Sequence, residues 1–380
     1  LTDTNQTDAV PGRAITTPRS GKASATIYDI AALAGVNPST VSRALSKPGR
    51  VSAKTQQKIL DAAEELNYQV NIFARALPTG RTQTVGLIVS DITNPAFFDI
   101  IRGAETAAAS RDYTLMLAES TESAEHEMTA AKRMLATVDG LILASPRLAN
   151  EEIQELAAKK PIVLINRRVD GVASIVADTE TGVAEAVRHL AAQGHTSISY
   201  VAGPERSWMS ARRWESIKAR CDWHGMKLSQ VASGMPTVEG GRRAAAVVKD
   251  GEATAVFCYN DLMAIGLMRE LQGAGVSIPE QLSIMGFDNI FGSDFTTPPL
   301  STIKSPLHEL GVTALSRLLE FIVPGDQAGV VESSAGTAAG AGTTAPGAVG
   351  QAGAEAGGAA VAALSTELVL RGSTGAARPA

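Results

Sequence analysis

Cysteine is nearly missing from this 380-residue chain, which has only Cys221 and Cys258. Two cysteines in apolar, periodic stretches cannot make a disulfide framework, which points to a reduced, cytoplasmic protein. Long apolar runs are missing too: none approaches the roughly 18 residues of a membrane-spanning helix. The first 24 residues are polar and lack the apolar core of a secretory signal. Histidine is sparse, and His126, His189, His195, His224 and His308 have no metal-ligand spacing. No GxGxxG opens a helix after a strand, and no Walker-type loop, HExxH or GxSxG is present. An enzyme is therefore not expected, and no catalytic residue, metal ligand or cofactor is assigned. What remains is 44% hydrophobic and 19% charged, the composition of a globular protein, at a length suited to two or three domains.

A net charge of −5 argues at first sight against a nucleic-acid partner. The charge is uneven, however. Residues 22–60 carry six basic side chains and one acidic, +5, so the rest of the chain carries −10. A basic module on an acidic body follows. Glycine is uneven as well. Between Asp326 and Ala363, 23 of 38 residues are Ala or Gly, which predicts a flexible insertion with too few large apolar groups to offset ordering. Patterning resumes after Leu364 in STELVLRGS, which alternates like a strand. Residues 1–24 read as a disordered tail.

Within the basic module, Thr26 with Asp29 three residues on predicts a capped helix that ends at Gly35. Asn37 caps a second helix with Pro38 in its first turn, turning Val41 and Leu45 inward and Ser39, Thr40, Ser42 and Arg43 outward. Ser52 caps a third helix with an inner face of Ile59, Ala63 and Leu66. Two short helices around a glycine turn plus a supporting third make a helix-turn-helix pattern. The outward hydroxyls suit phosphate contacts, and Arg43 can fork onto guanine O6 and N7. By pattern alone, a helical hairpin with a polar face fits equally well.

The segment from Thr26 to Leu77, TIYDIAALAGVNPSTVSRALSKPGRVSAKTQQKILDAAEELNYQVNIFARAL, resembles the DNA-binding head of the LacI/GalR family of bacterial transcription regulators. The resemblance implies base reading by Pro38, Ser39 and Arg43, and phosphate contacts by Tyr28, Thr40, Ser42 and Asn71. Asn37 stands where the family usually has a small residue such as Ser. Residues 71–77 match the family's hinge helix, which implies minor-groove contacts from Asn71, Ala74 and Leu77, with Leu77 as the wedge at a base step. Leu77 also reads simply as a linker leucine. A helix this short is unstable alone, so the hinge is expected to order on DNA.

From Val85 onward, short apolar runs (85–92, 114–120, 140–146, 162–166, 198–203, 255–260, 283–288) alternate with stretches of helical length (97–111, 123–137, 179–193, 210–224, 238–250, 261–273). Such alternation predicts parallel sheets covered on both faces, with a ligand at the carboxyl ends of the strands. Polar residues gather there: Asp91 and Asn94, Asn166 and Arg167, Asn260 and Asp261, Asp288 and Asn289. Amides and carboxylates can recognise hydroxyls, while Phe97, Phe98 and Trp208 can cover apolar ring faces. Asp178 and Asp261 read equally as helix caps, and one of the two phenylalanines reads as core.

This body also resembles the LacI/GalR effector domain, through ITNPAFFDIIRG, LINRRVD, VAGPERSWMSARRWESI, YNDLMAIG, MGFDN and PPLSTIKSP. The resemblance implies an α/β protein: an all-α helix-turn-helix head, 25–70; a hinge helix and linker, 71–83; and a periplasmic-binding-protein-like core, 84–374. The core would hold two doubly wound parallel-sheet subdomains, 84–178 with 305–325 and 179–304 with 364–374, broken by the insertion at 326–363. An effector pocket of Asn94, Phe97, Asn166, Arg167, Trp208, Arg213, Asn260 and Asp288 is implied. Ser216-Ile217 replaces a usual Gly-aromatic pair, and Ala96 replaces the first Phe of NPFF. The expected function is a homodimeric regulator, most often a repressor in this family. It would bind a pseudo-palindromic double-stranded operator under control of a small molecule such as a sugar, pentose or nucleoside, with no membrane partner. A transport-associated sugar-binding protein with the same body fold is the alternative.

Overall fold

Asp29 reaches back to Thr26 at the start of the first described helix, accepting from its backbone N at 2.8 Å and its Oγ1 at 2.7 Å. This reciprocal cap starts α1, Ile27–Ala34, which Gly35 ends in the left-handed conformation (φ 65°). In α2, Pro38–Ser46, the carbonyl of Asn37 accepts from Thr40 and Val41. Ser52 caps α3, Ala53–Glu65, by accepting from Thr55 N. Ile30, Ala31, Val41, Ala44, Ile59 and Ala62 form the core of this small unit. Ala62 is the buried residue of α3 where the pattern favoured Ala63, and Ala63 packs at its margin.

The structure, a computed structural model, describes residues 25–46, 49–68, 80–232, 234–324 and 361–378. The chain divides into two units, Leu1–Gly80 and Arg81–Ala380. The expected tail 1–24, the hinge 71–77 and nearly all of the expected insertion lie outside the described residues. Among the described residues, no helix is long and apolar enough to cross a membrane.

The second unit holds two six-stranded sheets. The first takes β1 (Thr84–Val89), β2 (Thr114–Glu119), β3 (Gly140–Ala144), β4 (Ile162–Ile165), β5 (Ala173–Asp178) and β11 (Val361–Ser365), in the order β11-β5-β4-β3-β1-β2. All its pairings are parallel. The second takes β6 (Ser197–Val201), β7 (Lys227–Val231), β8 (Ala255–Cys258), β9 (Ser283–Asp288), β10 (Ser301–Lys304) and β12 (Glu367–Val369), in the order β12-β10-β9-β8-β6-β7. Only β12 runs antiparallel to its neighbour. The helices α4 (Ala96–Ala109), α5 (Ala124–Leu135), α6 (Asn150–Ala157), α7 (Thr179–Ala192), α8 (Trp208–Trp223), α9 (Val238–Lys249), α10 (Asp261–Gly273) and α11 (Leu307–Ile322) connect and cover the strands. Central strands such as β1, β3 and β8 are wholly buried, as parallel sheets covered on both faces require. Cys221 and Cys258 are free thiols in the second core.

The structure differs from two expected boundaries. Composition places 361–363 in the insertion, and the resemblance places 364–374 wholly in the second subdomain. Val361–Ser365 instead pairs with Ser174–Asp178 and extends the first sheet, and only from Thr366 does the chain join the second. A run of small residues hides a strand when alanine stands where larger β-formers are usual. Among the described residues the chain crosses between the lobes at Asp178-Thr179, Lys304-Ser305 and Ser365-Thr366. Thr366 ties two crossings together: its Oγ1 donates to Asp178 O at 2.5 Å and accepts from Gly182 N at 3.0 Å.

Candidate functional site

In the first unit, Tyr28, Ser39, Ser42 and Arg43 are exposed, and Pro38 and Thr40 are half-buried. Val41 and Ala44 on the opposite side of α2 are locked in the core, so the polar residues share one solvent-facing surface. That surface begins at the helix N-terminus, where backbone amides and the helix dipole favour a phosphate. Asn71, Ala74 and Leu77 lie outside the described residues.

In the second unit the strand orders place topological switch points between β1 and β3 and between β6 and β8. Open α/β sheets take ligands there. A cleft opens at these strand ends, with Asn94, Phe97, Asn166, Arg213, Asn260 and Asp288 of the expected set on its walls. The space between these side chains is about 30 Å³, room for one or two waters.

Arg213 dominates one wall. It comes from α8, is only 4% exposed, and its Nη2 meets Asp288 Oδ1 at 2.7 Å. Its Nη1 donates to Tyr259 O. The guanidinium lies over Phe287, 4.3 Å from the ring centroid, and over Tyr259, 4.9 Å away, which favours a cation in a desolvated site. Its Nε is buried without a hydrogen-bond partner among the described residues. Asp288 Oδ1 also accepts from Ser305 at 3.1 Å.

The asparagines serve the fold and the wall together. Asn94 Oδ1 accepts from Ala96 N at 3.1 Å at the start of α4, and Asn166 Oδ1 accepts from Ala177 N at 3.1 Å. Asn260 caps α10 through Met263 N at 3.0 Å and donates to Pro236 O at 2.9 Å. Backbone strain clusters here: Thr121, Glu122, Ser145, Asn166, Asp288 and Asn289 all have positive φ. Left-handed residues other than glycine concentrate where function over-determines the backbone.

Two expected members stand elsewhere. Arg167 turns from the cleft to donate to Asn150 Oδ1 at 2.7 Å and Leu148 O at 3.5 Å. Its neighbour Asn166 takes φ 56°, which re-aims the following side chain. Trp208 opens α8, packs at the margin of the second core and carries the Arg212 guanidinium 5.9 Å from its ring centroid. Of the phenylalanines, Phe97 is core and cleft wall, and Phe98 is exposed. Asp178 caps α7 through Glu180 N. Asp261 is neither cap nor wall. It is buried beneath the cleft and accepts from Ile290 N, Ser293 Oγ and Thr302 Oγ1, and burial pushes its carboxyl up to about 7.

Polar residues that the sequence did not single out, Ser90, Glu122, Ser145, Arg147 and Tyr259, also line the cleft. Tyr259 and Ser145 follow β8 and β3 directly, so the strand-end rule itself reaches them. Glu122 and Arg147 stand three residues past β2 and β3, nearer their strand ends than Asn94 is to β1, so the same rule reaches them as well. Behind Arg147, Glu127 is buried, and burial raises its carboxyl to about 7 against hydrogen bonds from Arg147 N and Leu148 N.

A helix-turn-helix unit in one chain with a two-lobed α/β core around a polar cleft defines a ligand-responsive DNA-binding regulator. The comparisons agree. Residues 82–342 match the family "Periplasmic binding proteins and sugar binding domain of LacI family", and residues 26–71 match "Bacterial regulatory proteins, lacI family". The chain belongs to the LacI family. It is 34% identical over 304 residues to the HTH-type transcriptional repressor CytR of Escherichia coli K12, covering 78% of this chain and 89% of that one. Its fold matches a lac repressor dimer bound to operator and the anti-inducer ONPF, with TM-score 0.76 and 26% identity over 93% of this chain and 99% of that one. It also matches a LacI family regulator from Enterococcus faecium with bound ribose, with TM-score 0.62 and 28% identity over 77% and 99%. These relatives are transcriptional regulators, not enzymes.

Proposed function

We propose that this chain is a cytoplasmic, homodimeric repressor whose affinity for a pseudo-palindromic operator is set by a neutral sugar or nucleoside in the cleft. The observation that carries the ligand reading is the buried Arg213–Asp288 pair at the strand ends. A buried ion pair is weak evidence of stability, whereas a donor and an acceptor side by side recognise a hydroxyl. The ribose bound by the Enterococcus faecium relative supports the sugar class.

The cleft's position supplies the coupling. Both lobes contribute to its walls, so a bound ligand biases how the lobes meet. Movement at the crossings then changes the relation of the lobes, and effector and operator affinities must be linked reciprocally. In the operator complex Pro38, Ser39 and Arg43 read base edges, Tyr28, Thr40, Ser42 and Asn71 hold the backbone, and Leu77 wedges the minor groove. The lac repressor structure, a dimer on its operator, supports the two-fold arrangement. The match of residues 26–71 to regulatory proteins disfavours a transport protein. The test is a thermal-shift screen of sugars and nucleosides on the full chain and on Arg213→Gln, repeated with operator DNA selected from random duplexes. A ligand should stabilise the wild type and not the variant. Equal shifts in both would overturn the reading.

A further inference from the structure

The cleft has a second charged wall. Arg147, on the turn after β3, is 4% exposed, and its Nε and Nη2 both reach Glu122 Oε2 at 2.7 Å. Its Nη1 donates to Ser145 O at 2.7 Å. A guanidinium has five N–H donors, so one remains on each terminal nitrogen. Both Arg147 and Glu122 line the cleft. Glu122 Oε1 has no partner among the described residues, nor has Asp288 Oδ2 on the facing wall. Each wall therefore presents an arginine held by a carboxylate that keeps one oxygen unengaged.

The backbone is bent to make this wall. Thr121, Glu122 and Ser145 all have φ between 51° and 60°, and none is glycine. The turn is braced where Glu122 N donates to Ser90 O at 3.0 Å, and Glu127 behind it accepts from Arg147 N at 2.7 Å. Strain of this kind persists only where surrounding structure over-determines it.

We propose that Arg147 and Glu122 form a second ligand clamp facing Arg213–Asp288, and that the two clamps together select a net-neutral polyhydroxylated effector over its phosphorylated or carboxylated counterpart. The inference rests on the cleft being the effector site. Glu122, Arg147, Arg213 and Asp288 sum to zero formal charge, and each guanidinium is already neutralised at 2.7 Å. A hydroxyl can accept from the spare arginine N–H while donating to the unengaged carboxylate oxygen. A phosphate or carboxylate can only accept, and it would face two carboxylates that it cannot displace without leaving them buried and unpaired.

The experiment uses the full chain and a thermal-shift panel at constant ionic strength: D-ribose, D-glucose, adenosine and cytidine, against D-ribose 5-phosphate, D-glucuronate and adenosine monophosphate. A neutral member should raise the melting temperature and its anionic counterpart should not. Calorimetry with that neutral member should show at least a tenfold weaker Kd for Arg147→Met, with partial recovery in Arg147→Lys. Because Arg147→Met strands Glu122, the double variant Arg147→Met/Glu122→Gln serves as the fold-preserving control and should bind as weakly. Glu122→Gln alone should relax the discrimination against the anionic counterpart, which a purely structural pair would not do. A panel with only anionic binders, or none, overturns the proposal. So does a double variant that binds within twofold of wild type while Arg213→Gln does not bind, and that result leaves the cleft as effector site. Unchanged binding in both overturns the two readings together.

Discussion

Ser305 donates a hydrogen bond to Asp288 Oδ1 at 3.1 Å, joining the second crossing between the lobes to the carboxylate that holds Arg213. A hydrogen bond to a charged group contributes about 1.5–3 kcal/mol. Ser305→Ala should therefore weaken the cleft ligand about tenfold, since 1.4 kcal/mol is about a factor of ten. Calorimetry on the folded variant checks this, and an unchanged Kd would separate the crossing from the site.

Glu127 predicts a pH dependence. Burial raises its folded pKa from 4.5 to about 7, so between those values the folded chain keeps a proton that the unfolded chain releases. The resulting stabilisation is complete below about pH 4.5 and is lost as pH rises through 7. The slope reaches at most about 1.4 kcal/mol per pH unit. Glu127→Gln removes this term. Its melting temperature relative to wild type should rise steadily from pH 5 to pH 7.5, and a constant difference would show that Glu127 is not held protonated.

Two glycines let α4 and α11 touch. A Cβ on Gly103 would strike the carbonyl of His308, and one on Gly311 the carbonyl of Ile100. Backbone cannot yield as a flexible side chain can, so Gly103→Ala and Gly311→Ala should each cost about 1–3 kcal/mol. Urea melts report the loss. The exposed turn glycine Gly171 has nothing within contact of such a Cβ but a φ of 81°, so Gly171→Ala should act through backbone strain alone.

On the DNA side, the basic residues of 22–60 predict an operator affinity that falls steeply with salt. Arg43→Ala should lose about 1–3 kcal/mol on the selected operator and much less on random DNA. Fluorescence anisotropy at two salt concentrations distinguishes base reading from a plain phosphate contact, which would weaken both equally.

Much of this architecture was legible in the chain. Apolar runs at 85–92, 140–146 and 255–260 mark central strands because buried parallel strands must be apolar throughout. Strands β5, β7 and β10 escaped notice. Ala173–Asp178 is interrupted by Ser174, Lys227–Val231 is an exposed edge, and Ser301–Lys304 has only one aliphatic residue. The cleft's Asn94, Asn166, Asn260 and Asp288 were found because they stand at or just after strand ends. Arg147 and Glu122 stand equally near strand ends, but nothing in the sequence shows that their two turns meet and pair them. Arg167, expected beside Asn166, hydrogen-bonds Asn150 Oδ1 and Leu148 O instead of lining the cleft.

The central claim is that occupation of the cleft and occupation of the operator are coupled. The most direct test is the operator Kd of the full chain with and without the saturating neutral ligand found by thermal shift, for wild type and for Arg213→Gln. The expected change is about 5–150-fold in the wild type, the usual range of such coupling, and none in the variant. A ligand that binds the wild type and leaves its operator Kd unchanged would contradict it.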